Sequence, residues 1–280
     1  MTAHRGVSAT INGSAARRHG ELTHTPFSAR GPAAAGPLST AGGHGAGAAK
    51  APGNKLLAAL PRRDADLLRP LLSPSRLEPG AAVLEAGRHI EQVVFLDSGV
   101  VRISMGQGRP GERAEVGLVG REGLLGLHAL LGGRASPFLA MVQIAGEART
   151  APVRALRPLM HGSFHFRDLV LRCAAAQLAD SAVTAVCNAL HPLRQRAARW
   201  LLAVHDRAGP GFSLTQASLA EMLGARRPTV NAVLQQLKAE GLIHAARGRI
   251  AISDAAGLEG AACVCRRRAS DARKDLFPSL

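Results

Sequence analysis

Three textures follow one another along the chain. Residues 1–53 hold no hydrophobic period of 2 or 3.6 for more than a few positions and are rich in Gly, Ala, Ser, His and Arg. That segment is expected to be disordered, an extension ahead of the fold rather than an arm that touches DNA. Order is expected to begin near Asn54, where "NKLLAALPRRDADLLRPLL" reads as two short amphipathic helices broken at Pro61. From Ser75 to about Arg157 short apolar runs are separated by glycines, as in "AAVLEAG", "QVVFLDSGVVRISMG", "AEVGLVGREGLLGL" and "FLAMVQIAGEARTAPV". Short strands with turns at this spacing predict an antiparallel roll or barrel, and "VVFLDSGVVRIS" reads as a hairpin turning at Asp97-Ser98-Gly99.

From about Arg157 the pattern becomes helical. Phe164 to Leu190 predicts one long helix, ended or kinked at Pro192. Leu171, Ala174, Leu178, Ser181, Ala185 and Asn188 fall on an approximate heptad stripe whose small residues would let a second helix approach closely.

The most specific pattern is "SLTQASLAEMLGARRPTVNAVLQQLKAEGLI". It fits a helix-turn-helix, with Ala220 small where the helices cross and Gly224 at the turn that needs a left-handed backbone. Val230 is the buried position between the helices, with Leu219, Leu223 and Val233 filling the other apolar sites. Thr215 can cap the first helix, and Pro228 falls in the first turn of the second, where its missing N–H costs nothing. "LIHAARGRIAISD" then reads as two strands about Arg247-Gly248-Arg249, which makes the unit a winged helix.

In that geometry the second helix enters the major groove while the first braces it across the backbone. Arg226, Arg227 and Asn231 face outward, with Gln235 a turn later, and suit guanine or adenine edges. Thr229, Arg247 and Arg249 suit phosphates. Thr215 and Gln216, opening the bracing helix, complete the DNA-contacting set. Arg194, Arg196 and Arg199 either reach the DNA backbone or form a solvated basic face.

Charge sharpens this picture. The 280 residues carry 35 Lys and Arg against 20 Asp and Glu, a formal +15. Residues 191–268 hold twelve basic and five acidic side chains, the densest excess in the chain. A polyanionic partner follows, with nucleic acid first. No run of about 18 uninterrupted apolar residues occurs, so no membrane partner is expected. Four cysteines make no disulfide scaffold and no secretory apolar region follows the N-terminal arginines, so the cytoplasm is the expected compartment. No nucleophile elbow, phosphate-binding loop, HExxH or paired-Cys zinc signature appears, so the chain is not read as an enzyme.

The order of roll, long helix and winged helix resembles the Crp/Fnr family of bacterial transcription regulators over residues 54–268. "EVGLVGREGLLGL", "CNALHPLRQRAARWLLAVHDRAG" and the helix-turn-helix stretch carry the resemblance. It implies an α+β fold with an antiparallel, cyclic-nucleotide-binding-like β-roll over 54–160 and a dimerisation helix over 161–191. A winged helix-turn-helix over 192–268 and a tail over 269–280 complete the division. It also implies a homodimer whose roll senses a small-molecule effector, with double-stranded DNA and RNA polymerase as partners.

Family members that bind cyclic nucleotides hold the ribose with a glutamate and the phosphate with an arginine followed by a hydroxyl. In "GLHALLGGRASPFLA" Leu127 stands where the glutamate would, and Pro137-Phe138 where the arginine and hydroxyl would. A buried phosphate without a charge partner is costly, so cyclic AMP is not the expected effector. Leu127, His128, Arg134, Pro137 and Phe138 are the candidate pocket residues, Arg134 being a possible substitute cation.

Oxygen-sensing members hold an iron–sulfur cluster on cysteines mostly near the N-terminus, whereas the first cysteine here is Cys173. Cys173 and Cys187, about 21 Å apart along one helix, cannot share a cluster. Cys263 and Cys265 supply at most two close ligands and are assigned a local role, and His161 and His165 read as surface or cap histidines. No metal and no cofactor are expected. The competing reading is a signalling adaptor whose DNA-binding domain is vestigial.

Overall fold

Asn54 anchors the first helix of the described residues. The computed structural model describes residues 53–106, 113–246 and 248–274, so the extension expected over 1–53 lies, but for Gly53, outside the described residues. The buried Asn54 side chain accepts from the backbone N–H groups of Leu56 and Leu57 and so caps α1 (Lys55–Ala58). Its amide donates to the carbonyls of Leu96 and Gly123, tying this entry to the roll. Pro61 then precedes α2 (Arg62–Leu68), and a single 3₁₀ turn (Arg69–Leu71) leads into the strands.

The strands are β1 (Ser73–Leu77), β2 (Ala82–Leu84), β3 (Gln92–Leu96), β4 (Val100–Gly106), β5 (Arg113–Val119) and β6 (Leu124–Leu125). After the short α3 (Leu127–Leu130) come β7 (Leu139–Ile144) and β8 (Gly146–Pro152). They form two antiparallel four-stranded sheets, ordered β1-β8-β3-β6 and β2-β7-β4-β5. Leu77, Phe95, Leu96, Val101, Leu124 and Val142 are part of the core these sheets build.

The turn at Asp97-Ser98-Gly99 is real but is not a hairpin. β3 pairs with β8 and β6, whereas β4 pairs with β5 and β7, so the turn passes the chain from one sheet to the other. Val93, Val94, Phe95 and Leu96 are all buried, which a strand with one wet face would not allow. Gly99 has φ of 82°, and a Cβ there would lie 2.7 Å from the Ile144 carbonyl oxygen. The tight glycine turn looks the same in sequence whichever sheet receives the next strand.

Helix begins earlier than the sequence texture indicated. α4 spans Val153–Gly162 and is followed by α5 (Phe164–Leu190), capped by Ser163, whose hydroxyl accepts from the Phe166 N–H. His191 is extended and Pro192 opens α6 (Leu193–Ala208), so Pro192 separates two helices rather than kinking one. β9 (Gly211–Ser213), α7 (Gln216–Met222), α8 (Arg227–Ala239), β10 (Ile243–Ala246) and β11 (Arg249–Ile252) follow. β10, β11 and β9 form a small antiparallel sheet in that order. A second core gathers Trp200, Leu201, Phe212, Leu219, Val230, Leu237 and Ile250 under these elements.

α9 (Ala255–Ala261) and α10 (Cys265–Lys274) close the chain. α10 runs through the boundary expected at residue 269 and packs back on α5.

Candidate nucleic-acid interface

Local chemistry builds the helix pair. The Thr215 hydroxyl accepts from the Ser218 N–H at 3.0 Å and starts α7. Gly224 takes φ of +56° in the turn, where a side chain would be strained, and the Ala225 N–H donates to the Ala220 carbonyl. Ala220, Leu219, Leu223, Val230 and Val233 are all buried between the helices and their support. Pro228 lies in the first turn of α8, where its lack of an N–H leaves no i−4 carbonyl unpaired.

The outer face of α8 is left to solvent. Arg226, Arg227, Thr229 and Gln235 are exposed, and Arg249 is exposed on the wing strand β11. Arg247 lies outside the described residues. Asn231 and Gln216 are half-buried, and the Gln216 amide donates to the Asn231 side-chain oxygen at 2.8 Å. That bond fixes the Asn231 rotamer, and the oxygen keeps a second lone pair for a base edge.

The three arginines of α6 do something else. Arg194 pairs with Glu240 at the end of α8, and Arg196 donates to the Leu223 carbonyl in the helix-turn-helix turn. Arg199 is buried, and its Nε has no partner among the described residues. A solvated face does not describe them: Arg194 and Arg196 brace α6 against the helix pair, and Arg199 is turned into the interior. Sequence spacing could not show this, because Glu240 and Leu223 lie 46 and 27 positions away.

The roll touches the same unit from behind. Arg102 on β4 pairs with Glu221 on α7 at 3.1 Å, and the Ser218 hydroxyl donates to Gln143 on β7 at 3.2 Å. Arg207 on α6 pairs with Glu122 at 2.7 Å and lies 3.9 Å from Asp180 on α5. Burial, the largest single influence, would raise Glu122, but the Arg207 guanidinium, a backbone hydrogen bond and Arg273 together hold the carboxyl below its ordinary value. Glu115 on β5 accepts from the Trp200 indole, yet burial pushes its carboxyl up to about 7 despite Arg199, Arg102 and Arg207 nearby.

The candidate effector residues do not converge on one lining. Leu127 is buried, Phe138 packs half-buried against the roll core, and His128, Arg134 and Pro137 are exposed. The His128 ring lies over Gly133, where a Cβ would come within 2.0 Å of it. Two cavities are formed elsewhere, one among Glu115, Asp180, Arg199, Arg207 and Arg273, the other among apolar side chains of α1 and α5.

Two cysteine and histidine expectations fare differently. His165 pairs with Asp64 at 3.1 Å and His161 is exposed, as surface histidines would be. The absence of a metal-type cluster, however, is corrected: Cys187, His191, Cys263 and Cys265 bring their ligand atoms within 4.8 Å of one another. The fold-back of α10 onto α5 assembles them, and no local spacing announces it.

Residues 195–261 match the family model described as the Crp-like helix-turn-helix domain. No curated protein matches the chain. Among solved structures, FixK2 from Bradyrhizobium japonicum is similar with a TM-score of 0.60 at 16% identity, covering 69% of this chain and 98% of its own. A transcriptional regulator of the Crp/Fnr family from Eubacterium rectale gives 0.58 at 17% identity, covering 77% and 99%. TTHB099, a CRP-family transcriptional regulator from Thermus thermophilus, gives 0.56 at 24% identity, covering 70% and 96%.

Proposed function

This chain joins a Crp-like helix-turn-helix domain to the fold of Crp/Fnr regulators, and we propose that it acts as a homodimeric, sequence-specific DNA-binding transcription regulator in the cytoplasm. The observation that carries this reading is the outer face of α8. Arg226, Arg227 and Thr229 stand exposed at its start and Gln235 about two turns along it, on a helix whose inner face is fully occupied by packing. Side chains so placed reach base edges and phosphates when α8 lies in the major groove, and Arg249 on the wing reaches the adjacent backbone. The same exposure speaks against a vestigial DNA domain.

The homodimer is supported by α5. It is long and apolar, with a mean hydropathy of 1.4 over its best window, enough by length and composition to cross a bilayer. Its other faces, however, engage polar partners: Gln177 donates to the Leu124 carbonyl, Asn188 to the Glu115 carbonyl, and Asp180 pairs with Arg207 and Arg273. The exposed face carries Leu171, Ala175, Leu178, Ala182, Ala185 and Ala189, a strict alternation of four and three residues. That spacing is a seam for a second copy of the helix. It is rotated slightly from the stripe read in the sequence, since Ala174, Ser181 and Asn188 turn toward the chain's own core.

The effector remains a small molecule other than cyclic AMP on this reading. Leu127 is committed to the core, and Pro137 and Phe138 offer no charge to a phosphate.

Arg227→Ala tests the interface. Loss of a bidentate base contact is expected to lower the ratio of specific to nonspecific affinity by about 1–3 kcal/mol at fixed salt. Uniform weakening across sequences would assign Arg227 to a phosphate instead.

A further inference from the structure

Cys187 ends α5, His191 sits in the break before α6, Cys263 follows α9 and Cys265 opens α10. We infer that these four side chains form a mononuclear, tetrahedral metal site of the zinc class, which pins the C-terminal helix of the winged domain to the long helix.

The distances carry the inference. Cys187 Sγ and Cys263 Sγ are 3.5 Å apart, and Cys265 Sγ is 3.6 Å from His191 Nδ1. Ligands about 2.3 Å (sulfur) and about 2.0 Å (nitrogen) from one tetrahedral ion have edges of about 3.8 Å between sulfurs and about 3.5 Å between sulfur and nitrogen. All four ligand atoms fall within 4.8 Å, the compass of one ion. A 4Fe–4S cluster puts each ligand on a different iron and a 2Fe–2S cluster puts one pair on each of two irons, so either needs some of its ligand atoms farther apart than that. A disulfide is also not what is built, since its bond is about 2.05 Å and all four cysteines are free thiols.

Packing gives a second reason. Cys187, Cys263 and Cys265 are buried apart from both larger cores, with Val183 as the partly buried apolar side chain against them. Three buried thiols and an imidazole converging on one point make poor apolar packing, but they are a complete Cys₃His donor set. Three thiolates around a divalent ion carry a net −1. Arg199, only 7% exposed and with an unpartnered Nε, acts electrostatically on both Cys187 and Cys265 and offsets that charge. Binding would release the three thiol protons to solvent, the histidine coordinating as neutral imidazole.

The test uses the full chain, purified under reducing conditions without chelator, with metal content measured directly and the metal-stripped protein titrated with Co²⁺. One zinc per chain, and a Co²⁺ spectrum with tetrahedral ligand-field and thiolate charge-transfer bands, are expected. His191→Ala, at a half-buried position, should weaken Co²⁺ binding roughly tenfold or more, while Cys173→Ser should leave it unchanged. Three results would overturn the site: no stoichiometric metal in the reduced wild-type protein, iron with acid-labile sulfide, or a Co²⁺ spectrum indifferent to His191→Ala. The wild-type titration keeps the test decisive even if a cysteine variant fails to fold.

Discussion

Glu115 is a carboxyl held out of water between the roll and α6, with the Trp200 indole donating to it and Arg199, Arg102 and Arg207 as its charged neighbours. Burial raises it from 4.5 to about 7. Between those values the folded chain keeps a proton that the unfolded chain has released, so stability falls as pH rises through that window and stays lower above it. The raised value corresponds to about 3 kcal/mol at neutral pH and above. Glu115→Gln keeps an acceptor for Trp200 and removes the ionisation. Its melting temperature should exceed the wild type's above about pH 7.5 and converge with it near pH 5. Parallel melting curves at all pH values would show that Glu115 ionises freely, and that the roll and winged domain do not meet around it. The chemistry of such a residue is illegible in sequence: "RAEVGLV" shows a glutamate on a strand, and only the contact with α6, 85 positions on, buries it.

Elements differ in how far their own sequence specifies them. The helix-turn-helix is legible because every constraint is local: a cap at Thr215, a small residue at Ala220, a positive φ at Gly224 and buried Val230 all fall within sixteen positions. The strands are legible as strands but not as pairs, since the turn at Asp97-Ser98-Gly99 does not encode which sheet β4 joins. α5 is legible as a helix, while its exposed apolar side emerges only after the roll and α10 have covered the rest. Leu178, 73% exposed, lies at the centre of that side. Leu178→Glu should leave the melting of the isolated chain little changed but dissociate the dimer. Two lost leucine burials at about 1.5–3 kcal/mol each imply a rise of roughly 100-fold or more in the dimer dissociation constant. Sedimentation equilibrium reads this, and an unaltered dimer would move the interface elsewhere.

At the scale of the whole molecule, the roll and winged domain are joined by polar contacts together with Leu118 and Ile144 of the roll, which pack against the second core. Arg102–Glu221, Ser218–Gln143, Arg207–Glu122 and Glu115–Trp200 fix the helix pair against the sheets. Arg102 and Arg207 are buried in their ion pairs, so separating the roll from the helix pair would leave charges unpaired and is costly. The order of domains was legible from texture alone. The Cys187–His191–Cys263–Cys265 cluster was not, because its members come from both ends of a 79-residue span that only the return of α10 closes. Selection of bound sequences from a randomised duplex pool tests whether two copies of this chain read two half-sites of DNA, as proposed. With the full chain at about 0.15 M salt, where phosphate contacts alone give weak and sequence-blind binding, a two-fold palindrome with half-sites about one helical turn apart is expected. A pool that binds the protein yet returns no enriched sequence, with or without added effector candidates, would contradict it.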